Sequence, residues 1–262
     1  AAAVSWKAPV FTGGAEITQY TVTSSPGGFT CFTNELTCAV PGLTNGTSYT
    51  FTVIATNAVG DSPVSTASNS VSPVAVPNAP TDVSAILNGT SAEVTWLPPA
   101  DPGGLSITSY TVTASSGGKF CVTSLLVCRF SGLAIGTSYT FTVVATSGLG
   151  DSIPSFPSFA ITPVTLPDSP TNVTATPGDA SALVKWSAPA DNGGSPITRY
   201  TVVSSPGGRT CHTSSTECVI TGLANGTSYT FTVVASNIAG DSPKSDSSAA
   251  VSPRSKPGAP TG

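Results

Sequence analysis

The sequence predicts an all-β chain of three tandem β-sandwich modules. Three observations carry the prediction: a 90-residue repeat without insertion or deletion, period-two alternation between turns, and cysteines recurring in pairs. An internal repeat constrains a fold more than any local pattern does. Trp6, Trp96 and Trp186 share one register, and Tyr20, Tyr110 and Tyr200 another. The block Gly-Thr-Ser-Tyr-Thr-Phe-Thr-Val stands unchanged at 46–53, 136–143 and 226–233. Ninety residues suffice for an independent core, so each repeat is a module. The modules are 1–76, 77–166 and 167–256, with 257–262 opening a fourth repeat. Ala1 aligns with Ser91, so the first module lacks the counterpart of Val83–Thr90. Ala1 reads as a cut end, and the native polypeptide is expected to continue in both directions. The missing first strand is either truncated or supplied in trans by strand addition.

Composition supports small β modules. The chain has 26 Gly, 23 Pro and no Met, so turns are frequent and helix formers scarce. Charged residues make up 8%, well under the roughly 25% of ordinary soluble proteins. Disorder needs low hydrophobicity and high net charge, but hydrophobic residues are 39% and the net charge is −4. The nine basic residues are scattered, which predicts no nucleic-acid surface. No apolar run approaches the ~18 residues of a membrane helix, so no membrane insertion is expected.

Within each module, apolar and polar residues alternate with period two, the strand signature. Tyr49, Phe51, Val53 and Ala55 alternate with Thr50, Thr52 and Ile54, and Val94 and Trp96 with Glu93 and Thr95. Turn clusters such as Asn88-Gly89, Pro102-Gly103-Gly104 and Gly150-Asp151 separate the runs. In the middle module the expected strands are 82–87, 91–97, 107–114, 119–123, 127–131, 137–146 and 155–162. Seven short strands with regularly spaced turns point to a sandwich.

These residues carry a family resemblance. Pro80, Trp96 and Tyr110, followed by Leu133-x-x-Gly136-Thr137-x-Tyr139, resemble a fibronectin type III domain of the bacterial extracellular kind. The resemblance covers essentially the whole chain. It implies an immunoglobulin-like Greek-key sandwich with Trp6, Trp96 and Trp186 buried between sheets. It also implies tyrosine corners at Leu43 and Tyr49, Leu133 and Tyr139, and Leu223 and Tyr229. It is almost silent about function, because such sandwiches host unrelated roles.

Six cysteines form three pairs in register: Cys31/Cys38, Cys121/Cys128 and Cys211/Cys218. Two thiols per module are too few for a structural zinc site, and no helix is predicted to carry a redox pair. The remaining reading is a disulfide across the hairpin between the fourth and fifth strands of each module. Its short loop predicts about 2–3 kcal/mol of stabilisation. Val40, Phe130 and Ile220 share the parity of the second cysteine, which places the disulfide toward the core. Three disulfides imply an oxidising, extracellular compartment.

Chemistry is sparse, and the chain is expected to be no enzyme and to need no cofactor. His212 is the lone histidine and aligns with Phe32 and Val122, so its position demands no imidazole and no catalytic set is assembled. Asp101, Asp151, Asp191 and Asp241 are weak calcium candidates. The resemblance places their two loops at one end of a module, so Asp101 would approach Asp151 and Asp191 would approach Asp241. Against this, Asp is a common turn residue, and two carboxylates are few for a calcium cage. Asn45, Asn88, Asn172 and Asn225 lie in N-x-Ser/Thr patterns, three of them Asn-Gly turns. Phe29, Phe32, Leu125, Leu126 and Phe156 each align with a polar residue in at least one sister module. They are either scattered exposed residues or a contact patch.

The joints Val74–Pro80, Val164–Pro170 and Arg254–Pro260 each place prolines three residues apart. Proline fixes φ, so these joints are short and semi-rigid. Equal modules on equal joints predict a rod growing by about 35 Å per module. The leading expectation is a structural spacer, stalk or fibre-forming repeat of a bacterial cell-surface or secreted protein. It would adjoin other domains of one polypeptide, neighbouring copies in a fibre, or a surface protein or glycan. The alternative is an accessory glycan- or protein-binding module of a secreted carbohydrate-active enzyme.

Overall fold

The computed structural model describes residues 1–258. Residues 259–262, the end of the last joint and of the segment 257–262, lie outside the described residues. Thr- and Val-rich runs bounded by Gly and Pro become strands because branched side chains suit a half-buried pleated surface. The described residues contain no helix.

The first repeat holds β1 (Ala2–Ser5), β2 (Ile17–Ser25), β3 (Thr30–Thr33), β4 (Thr37–Val40), β5 (Thr50–Asn57) and β6 (Gly60–Asp61). The second holds β7 (Thr81–Asn88), β8 (Ser91–Leu97), β9 (Ile107–Ala114), β10 (Phe120–Thr123), β11 (Val127–Phe130), β12 (Phe141–Ser147) and β13 (Gly150–Asp151). The third holds β14 (Thr171–Pro177), β15 (Ser181–Ser187), β16 (Arg199–Ser205), β17 (Thr210–Thr213), β18 (Glu217–Thr221), β19 (Thr230–Asn237) and β20 (Gly240–Asp241).

Each repeat makes two antiparallel sheets. The four-stranded sheets run β3-β2-β5-β6, β10-β9-β12-β13 and β17-β16-β19-β20. The facing sheets run β1-β4, β11-β8-β7 and β14-β15-β18. The central pairing keeps one register throughout: Val22 opposes Val53, Val112 opposes Val143, and Val202 opposes Val233. Because side chains alternate across a strand, this register sends the same residues inward each time. Val22, Val112 and Val202 are fully buried, as are Phe141 and Phe231. Val40 and Ile220 fill the first and third cores from the opposite sheet, and Phe130, their counterpart, is buried.

Three expectations are corrected. The expected strand 137–146 begins as a ladder only at Phe141, and Tyr139 contributes a single bridge to Ile161. The expected strand 155–162 is not a strand. After β13 the chain meets β12 only at every third residue: the Ser152, Ser155 and Ser158 amides donate to the Ala145, Val143 and Phe141 carbonyls at 2.8, 2.9 and 2.9 Å. The serine hydroxyls accept in return from Ala145 N, Val143 N and Phe141 N at 3.0, 2.9 and 3.1 Å. Three residues thus advance against two of β12, about 6.8 Å by strand rise. A polyproline helix would cover about 9 Å in three residues, so this path is wound more tightly. Ser62, Ser65 and Ser68 bond the first repeat's β5 in the same way, and Ser242, Ser245 and Ser248 bond β19. The third correction is Trp6. Trp96 and Trp186 are buried, but Trp6 is half-buried, because β1 has a strand on one side only whereas β8 and β15 are flanked on both.

Contacts gather the chain into two compact units. One comprises Ala1–Ser84, Val94–Cys128 and Phe141–Ser158; the other comprises Ala85–Glu93, Arg129–Thr140 and Phe159–Gly262.

The serine bonds are buried at Val143 and Val233 but exposed at Val53. Ser155→Ala and Ser245→Ala are expected to cost about 1–3 kcal/mol each, because a buried N–H loses its acceptor. Ser65→Ala is expected to cost less. Amide exchange at Val143, Val233 and Val53 reads the difference, with protection lost at the first two.

Candidate functional site

Every repeat has the same structural fixtures, built from residues far apart in the chain. The disulfides Cys31–Cys38, Cys121–Cys128 and Cys211–Cys218 span Cα separations of 6.5, 6.5 and 6.4 Å, within the usual range. They do not join the arms of one hairpin. β3 pairs with β2 and β4 with β1, so Cys31 and Cys38 sit in different sheets and their bond staples the sandwich across its edge. The same holds for β17 and β18. The six-residue loop crosses between sheets instead of turning back within one. Cys31, Cys128 and Cys218 are buried, and each partner is half-buried.

In the segments from β4 to β5, β11 to β12 and β18 to β19, the phenol oxygens of Tyr49, Tyr139 and Tyr229 accept from Thr44 N, Ala134 N and Ala224 N at 3.0, 3.0 and 3.1 Å. Leu43, Leu133 and Leu223, each one residue earlier, are buried beneath these corners. Trp6, Trp96 and Trp186 meet Tyr20, Tyr110 and Tyr200 edge-on, with ring centroids 5.3, 5.5 and 5.3 Å apart. The three indole Nε1 atoms are buried with no protein acceptor, so these rings are held by packing. Burial raises the Tyr110 and Tyr200 phenols above the ordinary tyrosine value, whereas the Thr44 amide lowers Tyr49.

The four candidate calcium carboxylates serve local turns. Asp101 Oδ1 and Asp191 Oδ1 accept from the Gly103 and Gly193 amides, both at 2.8 Å. Asp151 Oδ1 accepts from Thr146 Oγ1 at 2.7 Å, and Asp241 Oδ1 from Ser236 Oγ at 2.6 Å. Among the described residues no three His, Cys, Asp or Glu side chains gather as metal ligands. His212 lies exposed on β17, with Nδ1 3.1 Å from the Thr201 hydroxyl across the strand pair.

The candidate contact residues do not converge. Phe29 is half-buried and packs edge-on against Tyr49 at 6.2 Å, so it belongs to the first core. Phe32 is exposed on β3 of the first repeat. Leu125 and Leu126 are exposed between β10 and β11, and Phe156 is 93% exposed beside β12. Sheet order sets β10 and the segment after β13 at opposite edges, which separates these positions. Two exposed phenylalanines went unanticipated, Phe120 at 68% and Phe159 at 95%. Their signal was present, since Phe120 aligns with Thr30 and Thr210 and Phe159 with Asn69 and Ala249.

Sheets joined by an inter-sheet disulfide, and a tyrosine corner, recur in all three repeats and define an array of β-sandwich modules. The profile of the fibronectin type III domain matches residues 1–71, 78–161 and 168–251, and the chain belongs to that family. Its relatives come from animals and bacteria. Fibronectin type-III domain-containing protein 3a of Gallus gallus is 29% identical over 81% of this chain and 19% of its own length. Chitinase A1 of Niallia circulans is 35% identical over 58% of this chain and 22% of its own. Exoglucanase B of Cellulomonas fimi is 29% identical over 76% and 20%. The chain thus spans about a fifth of each of these proteins.

Cleaving the disulfides, by reductant or by the pair Cys121→Ser and Cys128→Ser, is expected to remove about 2–3 kcal/mol from the affected repeat. Urea unfolding with and without reductant checks this. Stability is also expected to hold up to the ordinary tyrosine pKa of about 10 and to fall as pH rises beyond it. The folded state keeps the Tyr110 and Tyr200 protons more tightly than the unfolded chain does. Urea midpoints measured through that range should decline less steeply in Tyr110→Phe and Tyr200→Phe.

Proposed function

We propose that this chain is a non-catalytic spacer or stalk segment of a secreted or cell-surface bacterial protein, holding other domains of the same polypeptide at a distance. The observation that carries the reading is the unbroken 90-residue register, with short proline joints and identical internal fixtures. A binding role would select for one specialised surface, whereas a spacer selects for equal length. Bacterial relatives that carry matching segments support the source, and three disulfides suit an oxidising exterior. Fibre formation by neighbouring copies is a variant of the same role.

A second reading has its own support. Two of the relatives are a chitinase and an exoglucanase, and the middle repeat exposes Phe120 and Phe156 where its sisters carry polar residues. In that reading the chain is an accessory glycan-binding module.

Two measurements separate them. Deleting residues 77–166 keeps the register and is expected to shorten the particle by about 35 Å in solution scattering, with the remaining repeats folded. Collapse of those repeats would overturn the spacer reading. In sedimentation with insoluble chitin and cellulose the protein is expected to stay in solution. Depletion that disappears in Phe120→Ala or Phe156→Ala would establish the second reading instead.

A further inference from the structure

We propose that Asn88 is a site of spontaneous covalent modification, at which the side-chain amide is lost through a cyclic imide with Gly89 and the main chain is partly rerouted through the side chain. The proposal stands apart from the spacer and glycan readings, since it concerns one turn of the middle repeat and its only co-reactant is water.

The chain contains four Asn-Gly steps, at Asn45, Asn88, Asn192 and Asn225. Asparagine is a thermolabile residue. It is most reactive before glycine, because no Cβ hinders the nitrogen that must attack it. Three of the four steps share the tripeptide Asn-Gly-Thr, at 45–47, 88–90 and 225–227. Local sequence therefore gives Asn45, Asn88 and Asn225 the same intrinsic reactivity, and any difference among them comes from the fold.

The fold blocks three of the steps. The reaction needs the glycine nitrogen to lose its proton and reach the asparagine Cγ. Gly46 N and Gly226 N donate instead to the Pro73 and Pro253 carbonyls, both at 2.8 Å. Gly193 N donates to Asp191 Oδ1 at 2.8 Å, and that carboxylate holds the proton in place. The carboxamides are tied as well. Asn45 Nδ2 donates to Asp101 Oδ2 at 3.1 Å, and Asn192 Oδ1 accepts from Gly194 N at 3.0 Å. Asn225 is held at both ends, accepting from Ala180 N and donating to Asp179 Oδ1, each at 2.9 Å.

Asn88 has none of these restraints. It is exposed and ends β7, and Gly89 and Thr90 turn the chain into β8 at Ser91. Among the described residues nothing accepts from Gly89 N and nothing bonds the Asn88 carboxamide. Gly89 has a left-handed φ of +61°, and a Cβ on it would meet nothing within 4 Å, so the tip stands clear of the rest of the repeat. Only the far side of the turn is anchored, where Thr90 O accepts from Leu133 N at 2.9 Å. The same turn of the third repeat reads Gly178-Asp179-Ala180 and has no asparagine to react.

The chemistry balances without any other reagent. Hydroxide removes the Gly89 N–H proton, and the nitrogen forms a bond to Asn88 Cγ. The Cγ–Nδ2 bond breaks, and the nitrogen leaves as ammonia after taking a proton from water. Water then opens the imide. Attack at Cγ leaves an aspartate on an ordinary main chain. Attack at the main-chain carbonyl leaves an isoaspartate, with the chain running through Cβ and Cγ. The net change is amide plus water to acid plus ammonia, with nothing oxidised or reduced. The isoaspartate lengthens the main chain by one methylene at the end of β7, so the turn shifts and the neighbouring Leu133–Thr90 bond is strained first.

The test is to age the full chain in mildly alkaline buffer, folded and in urea, and to follow conversion at each asparagine by peptide mapping with mass spectrometry. In the folded chain Asn88 is expected to convert at least about tenfold faster than Asn45, Asn192 and Asn225, because a bonded amide must open before it reacts. In urea Asn45, Asn88 and Asn225 should convert at similar rates. Amide exchange on the aged protein should show Leu133 less protected, while Leu223, which bonds Ala180 O in the third repeat at 3.0 Å, is unchanged. Asn88→Gln, which keeps the amide but disfavours the five-membered ring, should remove both the conversion and the loss at Leu133. Folded-state conversion of Asn88 no faster than that of Asn45 and Asn225 would overturn the proposal. Conversion with Leu133 protection intact would overturn the rerouting of the main chain and leave a simple aspartate.

Discussion

A sheet with one apolar face has to cover it, and every other feature of this protein follows from how that is done. Val22 and Val202 point inward from the four-stranded sheets, and Val40 and Ile220 meet them from the facing sheets. A slip of one residue between β2 and β5 would turn one strand's inward set out to water, either Tyr20 and Val22 or Phe51. The register is therefore held by burial and is the same in all three repeats. Few charges are needed, because hydroxyl-rich faces and backbone wet the outside.

With the core settled, the edges decide durability. An unpaired strand edge invites pairing with other chains. Here one edge is closed by a disulfide linking the sheets. The other is closed by the serine spiral, whose amide and hydroxyl at each contact take one carbonyl and one N–H of the neighbouring strand. The spiral also sets which residues face out. Ile153, Phe156 and Phe159 fall between the bonded serines at three-residue spacing, so the middle repeat displays apolar side chains without disturbing its ladder. Structural and variable positions are thereby separated along one segment.

The joints extend the same economy of side chains. Backbone bonds from Ala75 and Thr165 to paired glycines hold each repeat to the one before it. The side chains around them differ, Asn45 bonding Asp101 Oδ2 in one joint while Ile135 packs beside Gly194 in the other. A connection made by the main chain can be repeated along an array whose surfaces diverge. It also explains why proline and glycine are abundant in a chain that is neither disordered nor collagen-like.

The sequence by itself determined the fold, the module count, the pairing of the cysteines and the inward rows, because each depends on a period or spacing that translation along the chain preserves. Period two reported strands, period 90 reported modules, and the block around Tyr49, Tyr139 and Tyr229 reported the corner. The serines at period three are equally legible in the sequence, but their spacing matches neither a strand nor a helix, and only the bonds to β12 show what it builds. Tertiary structure alone decided matters of neighbourhood. Cys31 and Cys38 are seven residues apart in either arrangement, and only sheet order shows that their bond crosses the sandwich. Phe29 aligns with Lys119 and Arg209 yet folds onto Tyr49, since a side chain's burial depends on what lies across from it. Asp101 accepts from the Gly103 amide and from Asn45, a residue 56 positions away that only folding brings to it. Sequence records what each position can do, and packing in three dimensions chooses the partner with which it does it.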